Sequence, residues 1–200
     1  MRLMLQKSLR APVTRIITPI CRGLLKAGLT ANAVSAIGAA GSAISAIYFY
    51  SHGKFLVGTI VTALFVLSDL LDGTMARLAK NGSNWGALLD STLDRITDSA
   101  VLGSVAYFLS QQNDPLVPVV LTALVAGGLV SYIKARAESL NIVCNGGLAE
   151  RTERLIIAFL AIILAGFSIP YALAVGMWIL SIGSTYTVIE RMVIVYKGSR

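Results

Sequence analysis

Asp69, Asp72, Asp90 and Asp94 lie in runs of Leu, Ile, Val, Ala and Gly with the apolar character of membrane-crossing helices. An ionisable group inside such a helix is costly, and by default it marks a functional site. Residues three or four apart share a helix face, so Asp69 pairs with Asp72 on one helix and Asp90 with Asp94 on the next. The connection at 77–85 is short, which makes the two helices antiparallel neighbours with both pairs near one mouth. Four carboxylates so close cannot all stay ionised without a cation. An all-oxygen, all-anionic donor set suits a hard divalent ion, Mg²⁺ first, with Mn²⁺ or Ca²⁺ as alternatives. Two such ions would neutralise the cluster, and a paired-metal site is a known device for displacement at phosphorus. One Asp in a spanning helix is often structural, but four at this spacing are not explained that way.

The neighbouring residues fit phosphate chemistry. Gly73 has no side chain and lets a phosphorylated group approach the backbone. Arg77 lies on nearly the same face as Asp69 and Asp72 and offers a planar fork of donors. Gly86 permits close approach at the start of the next helix, and Ser83 offers a hydroxyl.

The elements that position these residues follow from composition. The chain of 200 residues is 56% hydrophobic and 14% charged, which points to an all-α integral membrane protein. Six apolar stretches, at 32–50, 56–79, 86–110, 115–138, 152–168 and 170–195, read as transmembrane helices. Ser51-His52-Gly53-Lys54, Gln111 to Pro115 and Ser168-Ile169-Pro170 break the pattern, and Asn145-Gly146-Gly147 reads as a turn. An even helix count puts both termini on one side. Of the 17 Lys and Arg residues, only Lys54 falls clearly on the other side, so both termini and the carboxylate mouth are expected to be cytoplasmic.

Residues 1–28 read as a separate basic amphipathic helix in the interface, with Lys7, Arg10, Arg15, Arg22 and Lys26 among Leu and Ile. Residues 29–200 are then expected to form a single six-helix domain. The first spanning helix is rich in small residues, including Gly38 and Gly41, which close packing in lipid requires. Cys21 and Cys144 show no metal-type spacing and are expected to be thiols, not a disulfide. The net charge of +7 flanks apolar segments instead of forming a nucleic-acid-reading motif, so anionic membrane lipid and phosphorylated substrates are the expected partners.

The run Asp69-x2-Asp72-Gly73-x2-Ala76-Arg77-x8-Gly86-x3-Asp90-x3-Asp94 resembles, without a gap, the signature of the CDP-alcohol phosphotransferase family. The resemblance implies a membrane enzyme, usually a homodimer, that displaces CMP from a CDP-linked lipid with an acceptor hydroxyl. It implies that Asp69, Asp72 and Asp90 bind metal and that Asp94 lies beside the second ion as general base. It also implies that Gly73, Arg77 and Ser83 contact the CDP group.

Lys134, Arg136, Arg151, Arg154 and Arg191 add five further cations at the same mouth, with Glu138, Glu150, Glu153 and Glu190 as available counter-charges. The metals and Arg77 already neutralise a CDP group, so the surplus points to an acceptor that itself carries a phosphate. Arg15 to Ile20, Gly28 to Asn32 and Ser131 to Glu138 resemble the branch of the family that makes phosphatidylinositol phosphate in bacteria. That likeness implies transfer from CDP-diacylglycerol to inositol phosphate in the plasma membrane. Lys134, Arg154 and Arg191, joined by Arg136 and Arg151, would hold the acceptor phosphate, with Asn32 and Ser35 on the nucleotide side. Ala31 and Thr152 depart from the prolines usual in that branch. The competing readings are a phosphatidylglycerophosphate synthase using glycerol 3-phosphate, and a cation transporter. A transporter would place its ion site near the midplane of inverted repeats, which this chain lacks. Asp98, one turn beyond Asp94, reads as a buried hydrogen-bonded group.

Overall fold

A computed structural model describes residues 16–79, 83–144 and 146–199, and all regular structure among them is helical. Residues 16–26 form a helical segment. Then follow α1 (Ala31–Ser51), α2 (Phe55–Val66), α3 (Ser68–Ala79), α4 (Asn84–Gln111), α5 (Val117–Ser139), α6 (Arg151–Gly166) and α7 (Ala172–Gly198). Lys7, Arg10 and Arg15 of the expected amphipathic helix lie outside the described residues, as does Asn145 of the expected turn.

Four helices are long and apolar enough to cross a membrane: α1, the continuous rod Phe55–Ala79 made by α2 and α3, α5 and α7. Their outward faces carry Ile44, Leu64, Val125 and Ile182, all well exposed. Apolar surface on this scale is not tolerated in water and marks a membrane protein. Charge interrupts the 28-residue α4, and α6 has only 16 residues.

The helices end where the sequence permits a left-handed residue. Gly28, Gly53, Asn113, Asn141 and Ser168 all have positive φ. After each, the next N–H reaches back to a carbonyl in the preceding turn, as Leu29 does to Leu24 at 3.0 Å and Ile142 to Ala137 at 2.9 Å. This closes the otherwise open carbonyls of a helix C-terminus. Glycine adopts the conformation freely, and Asn tolerates it through local hydrogen bonding. Thr30 Oγ1 accepts the Ala33 N–H at 3.2 Å and caps α1, and Asp114 Oδ1 accepts the Leu116 N–H at 2.8 Å in the turn before α5, whose N-cap Leu116 has no side-chain cap.

The chain divides into two compact units, Met1–Ala43 with Val61–Thr97, and Ile44–Ile60 with Asp98–Arg200. In the first, Cys21, Val34 and Met75 form a small core with Leu24, Leu25 and Leu71 packed against it. The second holds the larger core, built from Tyr50, Phe55, Val101, Val105, Val120, Ile162 and Met177 among others. Cys21 and Cys144 are both buried free thiols, as the spacing predicts. Burial pushes the Cys21 thiol up from its ordinary value.

Candidate functional site

The four signature carboxylates belong to the first unit, Asp69 and Asp72 on α3 and Asp90 and Asp94 near the start of α4. Asp72 is buried, Asp69 and Asp94 are half-buried and Asp90 is exposed. The Ser35 hydroxyl of α1 donates to Asp72 Oδ2 at 2.5 Å. A hydrogen bond to an ionised acceptor is short and strong, so this contact ties α3 to α1 through the carboxylate itself. Arg95, which spacing alone does not single out, lies 3.5 Å from Asp94. As the side chains stand, no three acidic, His or Cys groups among the described residues close round one ion. The donor set is nevertheless wholly oxygen and anionic, the chemistry a hard divalent cation needs.

Space beside the carboxylates is set by two glycines. A Cβ built on Gly73 would meet nothing within 4 Å, so the backbone there is open to an approaching group. A Cβ on Gly86 would lie 3.1 Å from Asn32 Oδ1 and 3.3 Å from Ser83 Oγ, so three of the expected site residues are in close contact. Ser83 Oγ accepts the Gly86 N–H at 3.0 Å and caps α4. That leaves the hydroxyl proton of Ser83 to donate elsewhere. Arg77 is exposed on the last turn of α3, and its guanidinium donates to Thr74 Oγ1 at 3.1 Å, one turn back.

The expected acceptor cluster belongs to the second unit, where its arginines are engaged. Arg191 is only 3% exposed. Its Nε donates to the Gly146 carbonyl at 2.8 Å and its Nη1 to the Val130 carbonyl at 2.6 Å. Its Nη2 lies 3.8 Å from Glu150 Oε1. Arg154 is buried and donates to the Ala149 carbonyl at 2.9 Å. Asp98, read from the sequence as a buried hydrogen-bonded group, is half-buried and serves as a counter-charge. It stands 3.7 Å from Arg151 Nε and 3.6 Å from Arg154 Nη2. Thr187, which sequence reading missed, accepts the Ala149 N–H at 3.2 Å. The signal for it was there: Thr187 and Arg191 are four apart on α7 and so share a face. Arg136 is exposed and donates to Ser139 Oγ at 3.3 Å, whereas Lys134 has no hydrogen bond or ion pair among the described residues.

Comparisons with known proteins bear on the family of the chain. Residues 28–189 match the family described as CDP-alcohol phosphatidyltransferase. The phosphatidylinositol phosphate synthase of Streptomyces avermitilis is 43% identical over 205 residues, covering 98% of this chain and 84% of that protein. That of Mycobacterium tuberculosis is 42% identical over 188 residues, covering 92% and 87%. The crystal structure of the Mycobacterium tuberculosis phosphatidylinositol phosphate synthase with CDP-DAG bound matches with a TM-score of 0.88 at 42% identity, covering 91% and 94% of the two chains. The same enzyme in complex with manganese and citrate matches with a TM-score of 0.86 at 41% identity, covering 90% and 88%. By profile, identity and structure together, this chain belongs to the CDP-alcohol phosphatidyltransferase family.

Proposed function

We propose that this protein transfers the phosphatidyl group of CDP-diacylglycerol to inositol phosphate, giving phosphatidylinositol phosphate and CMP. One observation carries the reading. The unbroken carboxylate signature on α3 and α4 sits in a chain 42–43% identical, over nearly its whole length, to enzymes named for that product.

Asp69, Asp72, Asp90 and Asp94 would hold two divalent cations, Mg²⁺ or Mn²⁺, and the manganese in a relative's structure supports that class of ion. When bound, such ions neutralise charge on the pyrophosphate and on the leaving CMP. The remaining work falls to the chain itself. Gly73 leaves room for the pyrophosphate, Arg77 presents its donors from the last turn of α3, and Ser83 donates its free hydroxyl proton. Asn32 and Ser35 line the nucleotide side. Asp94 takes the proton of the acceptor hydroxyl as that oxygen bonds to the lipid-side phosphorus and the bond to CMP breaks. Arg95 orients the Asp94 carboxylate. Lys134 is the acceptor-phosphate contact whose donors are uncommitted. Arg154, Arg191, Arg151 and Arg136 supply the surrounding positive field.

The same reading fixes the setting. Six membrane crossings correspond to α1, α2 with α3, α4, α5, α6 and α7, and the helical segment 16–26 lies along the interface ahead of a catalytic domain at 29–200. The asymmetry of Lys and Arg supports cytoplasmic termini and a cytoplasmic site in a bacterial plasma membrane, in a homodimer. The test uses purified protein, Mg²⁺ and CDP-diacylglycerol with inositol phosphate or glycerol 3-phosphate in parallel, reading CMP release and lipid product. Product with inositol phosphate is expected. Product with glycerol 3-phosphate alone would transfer the acceptor assignment, and no CMP with either would remove the enzyme reading.

A further inference from the structure

Asn32, Ser35, Gly38 and Gly41 recur every three residues along α1, and each meets a part of the signature helices or their lead-in. Asn32 lies against Gly86, and Ser35 bonds Asp72. A Cβ built on Gly38 would fall 1.7 Å from Ser68 Oγ, 2.8 Å from Ser68 Cβ and 3.2 Å from the Phe65 carbonyl. One built on Gly41 would fall 2.4 Å from the Phe65 ring. Such an i+3 row, with glycine at two of its positions, is a groove along which a second helix can seat.

The seat coincides with an irregularity. At Leu67 the rod tightens, the Leu70 N–H reaching the Leu67 carbonyl at 3.1 Å in a three-residue step. Ser68 follows at once, and Asp69 is the next residue. The Ser68 hydroxyl is buried over Gly38 with no hydrogen-bond partner among the described residues, so it fills space and makes no bond.

We infer that Gly38 is a positioning residue for Asp69 and Asp72, setting by its missing side chain the depth at which α3 sits on α1. The inference rests on the metal-binding reading of those carboxylates. A methyl group at position 38 would overlap Ser68 and push the first turn of α3 outward. A helix moves as a unit over one turn, so Asp69 and Asp72 shift with it. A displacement of about 1 Å stretches the Ser35–Asp72 contact beyond the usual O–H···O range of about 2.5–3.0 Å and weakens it. Gly41 differs, because the atoms it faces are an aromatic ring that can swing aside without moving backbone.

The experiment is a direct titration of Mn²⁺ into purified wild type, Gly38→Ala, Gly41→Ala and Gly38→Ala with Ser68→Gly, alongside thermal unfolding and the Mg²⁺ dependence of kcat at saturating CDP-lipid. Gly38→Ala is expected to weaken Mn²⁺ binding about 10–100-fold, the range for losing a partner that orients a metal ligand. Gly41→Ala should lower thermal stability while binding Mn²⁺ as wild type does. Ser68→Gly removes the two overlapping side-chain atoms and should restore most of the affinity lost in Gly38→Ala. Wild-type affinity in Gly38→Ala, or no recovery in the double variant, would overturn the inference. If Gly38→Ala alone fails to fold, the double variant is compared with Ser68→Gly. Equal affinity upholds the inference, and a tenfold deficit overturns it. A wild type that binds no Mn²⁺ would instead remove the metal reading on which the inference stands.

Discussion

The carboxylate unit and the arginine unit use their charged side chains in opposite ways. In the first, Asp90 and Arg77 are exposed, a Cβ on Gly73 would meet no described residue within 4 Å, and Ser35 donates a short bond to the Asp72 carboxylate. In the second, Arg154 and Arg191 are 7% and 3% exposed and donate to the carbonyls of Ala149, Gly146 and Val130. The first unit keeps Asp90 and Arg77 at its surface and holds Asp72 with a small residue of α1, Ser35. The second uses guanidinium groups to fasten the 140–150 connection to α5 and α7, where a chain without regular structure must satisfy its carbonyls somehow. Two charge clusters equally prominent in the sequence therefore differ in setting: Asp90 and Arg77 face outward, whereas Arg154 and Arg191 are buried against backbone carbonyls.

Substitutions test that contrast, and the largest effect belongs to the open side. Asp94→Asn should lower the rate of CMP release about 10³-fold, within the range for losing a general base, while sparing much of the metal binding. Near-normal turnover would remove Asp94 from the chemistry. Asp98→Ala, on the buried side, leaves Arg151 and Arg154 without their shared counter-charge. It should cost about 3 kcal/mol of stability, the low end for stranding a buried charge, read as a lowered unfolding temperature in detergent. An unchanged unfolding temperature would mean the arginines do not fasten that unit. Lys134→Ala should raise the KM for inositol phosphate about tenfold, roughly the 1.4 kcal/mol of one modest charged contact, with unfolding unchanged. Arg154→Ala should move both quantities, and an equal rise in KM for acceptor and CDP-lipid would argue against a phosphate contact there. The smallest effect is that of Ser83→Ala, about 1 kcal/mol from the lost cap of α4, with a rise in KM for the CDP-lipid as its functional trace.

Much of the scaffold was legible. The expected stretches at 32–50, 86–110 and 170–195 correspond to Ala31–Ser51, Asn84–Gln111 and Ala172–Gly198. Hydrophobic runs and turn residues are local signals, and Gly53, Asn113 and Ser168 sit where the breaks were read. The tightening at Leu67 was not legible. Phe65-Val66-Leu67 is apolar and unbroken, with no Gly or Pro to mark a step. The step coincides with the seating of Phe65 and Ser68 on Gly41 and Gly38, residues 24 to 30 positions away along the chain.

By itself the sequence determined the chemistry on offer, because Asp69, Asp72, Asp90 and Asp94 share helix faces through the fixed 3.6-residue turn and need no tertiary information to pair. It also determined the membrane setting, since apolar run length is a property of the chain alone. Only the tertiary structure decided which cations are committed. Arg191 meets Val130 across 61 residues and Gly146 across 45. No local rule predicts such partners, because a guanidinium bonds whichever carbonyl or carboxylate the packing of distant helices leaves unsatisfied.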